Sequence, residues 1–179
     1  VEPDKNADLS QQLAAIQSEF PTVQDFERDF PSLCFALATG VGKTRLMGAF
    51  IAYLYRAEKV QHFFVLAPNL TIYRKLIADF TPGTPKYVFQ GIHEFATNPP
   101  QIITSDNYES GVGVRATEGS GIVRQGSLFG DAAVHINIFN ISKINSEVRG
   151  GNSPRIKRLN EYIGDSYFDY LAELEDLVL

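Results

Sequence analysis

A glycine-rich stretch at residues 37–44 constrains the fold more than any other part of the chain. It follows an apolar run at residues 33–37 and precedes a run with few helix breakers at residues 45–55. An apolar strand, a glycine-rich turn and a helix are the context in which such a loop binds phosphate. We therefore predict a buried strand over 33–37, a phosphate-binding loop and a helix over 45–55. The loop residues are Leu37, Ala38, Thr39, Gly40, Val41, Gly42, Lys43 and Thr44.

The residue types of this loop have chemical roles in nucleotide binding. Gly40 and Gly42 allow the backbone N–H groups to point inward at the positive end of a helix, which forms a nest for an anion. Lys43, the candidate catalytic residue, reaches the β- and γ-phosphates, and the Thr44 hydroxyl can ligate Mg²⁺. The loop thus predicts ATP and Mg²⁺ as cofactors. The predicted nucleotide-binding residues are Thr39, Gly40, Val41, Gly42, Lys43, Thr44 and Arg45.

The loop departs from the general pattern at its first position, where Leu37 stands in place of glycine. This departure argues against small nucleotide kinases and GTPases. It favours the helicase-like translocases, which the loop resembles in its Thr-Gly-x-Gly-Lys-Thr ending. A chance match in an ordinary strand–turn–helix is the alternative.

Composition and charge limit the partners of the chain. Its 179 residues suffice for one well-cored domain, with 44% hydrophobic and 21% charged residues. The net charge of −5 argues against a chain that coats itself in nucleic acid, so any DNA contact must be local. Because no apolar run has the length of a membrane span and the N-terminus is no signal peptide, we expect a cytoplasmic protein without membrane contact.

The cysteine and histidine residues give no sign of a metal site. The single cysteine, Cys34, lies in the apolar run before the loop, and we expect a buried, inert thiol. The three histidines, His62, His93 and His135, are far apart in the sequence and have no cysteine partners at metal-ligand spacing. We therefore expect no zinc site.

Apolar patterning predicts an α/β fold around the loop. Apolar residues at helical spacing predict a helix over 9–20, and a continuous apolar run predicts a strand over 61–67. β-Branched content and alternation predict another strand over 134–141. The alternation of strands and helices predicts a mostly parallel sheet with helices on both faces. The other predicted elements are a helix capped by Asn69 or Thr71 that ends near Phe80, short strands at 86–89 and 101–104, a hairpin or long loop at 111–130, a helix at 155–163, an amphipathic segment at 167–174 and the start of a buried strand at 177–179.

Several segments resemble one protein family. Residues 67–70 (APNL) resemble motif Ia of the superfamily-two helicases. The more distinctive segments are IFNISKINSE at 138–147, SPRIKRL at 153–159 and LEDLVL at 174–179. Together with the loop they resemble the restriction (Res) subunit of type III restriction–modification enzymes. The resemblance extends from about Leu33 to the end of the chain.

The resemblance implies a RecA-like P-loop domain, the first of two in an ATP-dependent, site-specific deoxyribonuclease. Such a subunit acts on double-stranded DNA together with a modification methyltransferase (Mod) subunit, and it hydrolyses ATP to communicate along the DNA. On this basis we divide the chain into an N-terminal helix with its lead-in (1–30) and a RecA-like helicase domain (31–179).

Hydrolysis of ATP needs an acidic pair after an apolar strand, and no Asp-Glu follows four apolar residues in this sequence. The resemblance implies that this Walker B (Asp-Glu-x-His) motif comes just beyond Leu179. We therefore expect a domain that is incomplete at its C-terminus and inactive alone.

Two groups of residues are candidate nucleic-acid contacts. The first, Pro68, Asn69 and Leu70, matches motif Ia, although a strand end and a helix cap also explain it. The second is a basic cluster without acids, for which a solvated helix face is the alternative. The cluster comprises Arg149, Arg155, Lys157 and Arg158. In addition, Asn140, Ser142 and Lys143 lie at the end of a predicted strand and could line a functional edge of the sheet.

Two other functions stay open. The chain could belong to another superfamily-two helicase that unwinds or remodels DNA or RNA without a nuclease. Alternatively, it could be a nucleotide-binding module with no catalytic role, such as a switch or scaffold.

Overall fold

The computed structural model describes residues 8–112, 134–145, 154–161 and 163–179. The chain divides into two compact units, Val1–Val41 and Gly42–Leu179. Most of the predicted hairpin or loop at 111–130, and Arg149 of the basic cluster, lie outside the described residues. The division into 1–30 and 31–179 stays a prediction.

The first unit contains one helix, α1 (Leu9–Glu19), among its described residues. The side chain of Asp8 caps this helix, since its Oδ1 accepts a hydrogen bond of 2.9 Å from the backbone N–H of Gln11. The helix predicted over 9–20 is confirmed.

The strand predicted over 33–37 is wrong. These residues form neither helix nor strand, and Leu33 and Phe35 are more than half exposed. An apolar run is compatible with a strand, but a strand forms only where a neighbouring strand pairs with its backbone. In the described part of the chain, other segments form every such ladder. The expectation of a buried Cys34 is wrong for the same reason, because this thiol is exposed.

The second unit alternates helices with strands. Its helices are α2 (Lys43–Glu58), α3 (Leu70–Phe80), α4 (His93–Thr97), α5 (Ile141–Asn145) and α6 (Tyr167–Ala172). Its strands are β1 (His62–Ala67), β2 (Gln101–Thr104), β3 (His135–Asn140), β4 (Leu159–Asn160), β5 (Asp165–Ser166) and β6 (Leu177–Val178). Short 3-10 helices cover Tyr108–Ser110 and Arg155–Lys157.

Four strands form a parallel sheet in the order β2-β3-β1-β6. The register pairs His62 with His135 at the amino ends of β1 and β3, and Ala67 with Asn140 at their carboxyl ends. The strands predicted over 61–67, 101–104, 134–141 and 177–179 are therefore confirmed. The last of them is only half-buried where we expected full burial.

Both faces of this sheet are covered, as the sequence predicts. On one face Phe63, Val65 and Ile136 pack with residues of α2, α3 and α4. On the other face Phe64 and Phe139 pack with residues of α6. Side chains alternate between the faces because successive residues of a strand point to opposite sides. The α/β fold class is confirmed.

Two further predicted elements are wrong. Residues 86–89 form turns, and Phe89 enters the core from a turn, so its apolar character gave a false strand signal. Residues 155–163 contain the short 3-10 helix and β4, which pairs antiparallel with β5. A turn at Gly164, with a φ of 78°, joins these two strands. Leu159, in β4, is exposed.

None of the helices in the described part of the chain has both the length and the apolar composition that a membrane crossing requires.

Candidate phosphate-binding site

The glycine-rich loop contains two residues with left-handed backbone conformations. Gly40, in the first unit, has a φ of 82°, and Gly42, in the second, has a φ of 92°. Residues with a Cβ rarely adopt such values, so glycine is required at both positions. Thr39 and Val41 also belong to the first unit, whereas Lys43, Thr44 and Arg45 begin α2.

The N-terminal end of α2 has the properties of an anion site. Gly42 is its N-cap, and no side chain caps this end of the helix. The first N–H groups of a helix lack partners within the helix and carry the positive end of its dipole. Lys43, as the first helical residue, adds its charge at this end. A phosphate group is the kind of ligand that this arrangement attracts.

An open cavity of about 270 Å³ adjoins this end of α2. Arg45, Lys75 and Lys86 contribute positive charge to its lining, and Asp79 contributes the negative charge. The excess of cations makes the cavity attractive to an anion. The lining residues are Gly42, Thr44, Arg45, Lys75, Asp79, Lys86 and Val88.

Lys75 joins α3 to the beginning of α2. Its Nζ donates a hydrogen bond of 3.3 Å to Oγ1 of Thr44 and forms an ion pair with the carboxylate of Asp79, one turn further along α3. Asp79 is 6% exposed, so its charge is almost withdrawn from water. A buried carboxylate requires a partner, and Lys75 provides it.

Close packing fixes the walls of the cavity. A Cβ atom at Gly48 of α2 would lie 3.0 Å from Cβ of Val88, so a larger residue at this position would require Val88 to shift. The backbone N–H of Val88 in turn donates to the carbonyl oxygen of Asp79 at 2.9 Å. The segment that carries Val88 is therefore held against both α2 and α3.

These residues fit a nucleotide with Mg²⁺. The helix end and the cations suit its phosphates, and the Thr44 hydroxyl offers one oxygen ligand. The described residues contain no group of three or more His, Cys, Asp or Glu side chains that could hold a metal ion by themselves. Mg²⁺ is commonly bound by one or two protein groups together with substrate phosphates and water, which is the arrangement that Thr44 could serve.

The first candidate nucleic-acid segment lies at the carboxyl edge of the sheet. Asn69 caps α3, since its Oδ1 accepts a hydrogen bond of 2.9 Å from the N–H of Ile72. The alternative interpretation, in which Asn69 is a helix cap, is confirmed. A DNA contact by Pro68, Asn69 or Leu70 stays a prediction. The predicted helix that ends at Phe80 is confirmed, with Asn69 as its cap.

Asn140 lies at the same edge, because its partner in the β1–β3 register is Ala67. Its Oδ1 accepts hydrogen bonds from the N–H and the hydroxyl of Ser142. Its Nδ2 is buried and has no hydrogen-bond partner among the described residues. The structure therefore places Asn140 and Ser142 at the same edge of the sheet as residues 68–70, and Lys143 follows in α5.

The described residues of the basic cluster lie on or next to a short 3-10 helix and are exposed. Arg155 forms an ion pair with Glu109, with 2.6 Å between Nη2 and Oε2. The Nζ of Lys157 lies 4.7 Å from the centre of the Phe168 ring, within cation–π range. Arg155 and Lys157 thus have partners within the chain, and the role of Arg155, Lys157 and Arg158 in DNA binding stays a prediction.

Sequence reasoning missed Lys75, Asp79 and Lys86. A Lys and an Asp four residues apart on a predicted helix are a recognisable ion-pair signal. Their position beside Thr44 follows from the packing of two helices, and no pattern within either helix reveals it.

The sheet, its covering helices and the glycine-rich loop before α2 define a RecA-like P-loop domain. The family model described as type III restriction enzyme, res subunit, matches residues 8–171. The chain therefore belongs to this family, as its sequence motifs indicated. Searches of curated proteins and of solved structures found no significant match.

Proposed function

We propose that the chain binds ATP with Mg²⁺ at the N-terminal end of α2. The family supports a helicase-like ATPase domain with nucleotide as its ligand. The observation that carries the proposal is the cationic cavity at this helix end. Gly42, Thr44 and Arg45 are among the residues that line it. In this proposal Thr39, Gly40 and Val41 complete the phosphate loop.

Each residue of the helix end has a proposed part in the reaction. The N–H groups after Gly42 bind phosphate oxygens, and Lys43 neutralises charge on the β- and γ-phosphates. Thr44 directs its hydroxyl oxygen at Mg²⁺, which when bound neutralises charge that develops on the phosphates. Positioning and charge stabilisation are the main contributions to phosphoryl transfer, so these residues prepare the nucleotide for hydrolysis.

We further propose that ATP hydrolysis in this RecA-like domain (31–179) drives movement along double-stranded DNA. In the Res subunit, this movement would be coupled to DNA cleavage in a complex with the Mod subunit. Membership of the family supports this proposal. Another superfamily-two helicase without a nuclease would share the same motor, and DNA cleavage by the complete protein distinguishes the two.

The proposed DNA-binding surface is the carboxyl edge of the sheet. Asn140 is paired with Ala67 in the β1–β3 register, so it lies at the same edge of the sheet as residues 68–70. Ligands of open α/β sheets bind beyond the carboxyl ends of the strands. Arg155, Lys157 and Arg158 are proposed as further contacts to DNA phosphates.

The nucleotide proposal is tested by the binding of a fluorescent ATP analogue in the presence of Mg²⁺. We expect Lys43→Ala to weaken binding about 10- to 100-fold, because this loss of affinity corresponds to the free energy of a hydrogen bond to a charged group. The matched control is Lys59→Ala, which removes the same charge at the other end of α2 and should leave binding unchanged. Equal affinities of the wild type and a folded Lys43→Ala protein would contradict the proposal.

A further inference from the structure

Lys75 contacts the same oxygen atom that the proposed function assigns to Mg²⁺. Its Nζ donates to Oγ1 of Thr44 at 3.3 Å while it also pairs with the carboxylate of Asp79. The Lys75 side chain is 55% exposed, whereas that of Asp79 is 8% exposed. The ammonium group therefore lies at the mouth of the cavity, with its counter-ion behind it.

An ammonium group and Mg²⁺ compete for this hydroxyl. Mg²⁺ binds oxygen ligands at about 2.1 Å, so the metal and Nζ would lie at most about 5.4 Å apart if both stayed on Oγ1. Two cations at that separation repel each other, more strongly in a partly desolvated cavity than in water. This repulsion favours contact of Thr44 with one cation at a time.

We propose that Lys75 is a positioning residue, which holds the Thr44 hydroxyl in the metal-free protein and releases it when Mg²⁺ arrives with the nucleotide. This inference rests on the proposed function, because it requires Thr44 to be a metal ligand. Lys75 thereby sets the Mg²⁺ concentration at which the nucleotide complex forms.

Asp79 keeps the free-energy cost of this exchange low. When Lys75 leaves Thr44, its ion pair with Asp79 persists, so the buried carboxylate keeps its partner. The bond that is lost is the longer one, to a neutral oxygen near solvent. Such an exposed contact contributes little free energy, so we expect a moderate effect on metal binding.

The test is a Mg²⁺ titration of the purified protein at a fixed concentration of a fluorescent ATP analogue. Lys75→Met should lower the half-saturating Mg²⁺ concentration about threefold to fivefold, in line with the free energy of an exposed polar contact. Lys75→Arg should behave as the wild type, because it restores a cationic donor. Lys86→Met is the matched control, since it removes the same charge from the cavity lining without a contact to Thr44.

A second variant covers the case in which Lys75→Met does not fold because Asp79 is left without its partner. The double variant Lys75→Met/Asp79→Asn removes both charges, and we expect the same decrease in the half-saturating Mg²⁺ concentration. The inference is overturned by an unchanged or higher Mg²⁺ requirement, by an equal decrease in Lys86→Met, or by wild-type binding that is independent of Mg²⁺. Failure of the wild type to bind the analogue at all would instead overturn the proposed function.

Discussion

Between α6 and β3, the buried hydroxyl of Tyr167 donates to Oδ1 of Asn137 at 2.6 Å. At the beginning of α2, by contrast, Lys75 donates to Thr44 at 3.3 Å beside an open cavity. Tyr167 and Asn137 are each 1% exposed. The buried pair is short and shielded from water, while the cavity pair is long and next to solvent. The first suits a permanent contact, and the second suits one that a ligand replaces.

At the amino end of the sheet, polar groups are also paired with one another. Asp176 accepts hydrogen bonds from the backbone N–H of Gln61 at 2.9 Å and pairs with Nδ1 of His62 at 2.7 Å. His135 lies behind His62, with 3.3 Å between Nδ1 of His135 and Nε2 of His62. These contacts tie the segment before β6 to β1. Buried polar groups of this kind contribute to stability when they are fully paired.

The largest effect on stability is expected from Tyr167→Phe. The change leaves Oδ1 of Asn137 without this donor, and an unsatisfied buried acceptor costs about 1–3 kcal/mol of the free energy of unfolding. Burial raises the pKa of Tyr167, in agreement with a hydroxyl that is shielded from water. Urea unfolding measures the effect, with the exposed Tyr53→Phe as a control that should stay within about 0.5 kcal/mol of the wild type.

The affinity of the Tyr167→Phe protein for the ATP analogue tests whether the buried pair and the cavity are independent of each other. Because Tyr167 supports the sheet core and does not line the cavity, we expect this affinity to equal that of the wild type. A large loss of affinity with unchanged stability would break the distinction between the two regions.

A smaller effect is expected when the exposed residue Arg158, a candidate phosphate contact, is replaced, and this effect is on DNA binding. Arg158→Ala should weaken binding to double-stranded DNA equally for all sequences and lower the slope of log K against log salt concentration by about one unit. Binding to an oligonucleotide at several salt concentrations measures this slope. A slope equal to that of the wild type would assign the basic cluster to an ordinary solvated surface.

A comparison of two apolar runs shows how far the fold can be predicted from the sequence. Residues 62–67 and 33–37 have similar apolar character, but only the first forms a strand, because β3 and β6 pair with it. The apolar pattern identifies segments that can be strands. Whether a partner strand is present depends on tertiary contacts, which no single segment encodes.

The candidate site was predictable to the same extent. The loop sequence identified Gly42, Lys43 and Thr44 because its glycines and its helix context are local features. Lys75 and Asp79 were missed, since their position beside Thr44 depends on the packing of α3 against α2. The same limit applies at residues 155–163, where we predicted a helix and the structure has a short 3-10 helix and β4, which pairs with β5.

The central claim is that the beginning of α2 binds the phosphates of a nucleotide. Hydrogen–deuterium exchange of the backbone amides, measured with and without ATP and Mg²⁺, tests it most directly. We predict slower exchange at residues 42–45 when nucleotide is present, because bound phosphate oxygens protect these N–H groups, and no change in β3, which is already buried. Unchanged exchange at residues 42–45 under saturating nucleotide, or protection confined to the sheet, would contradict the claim.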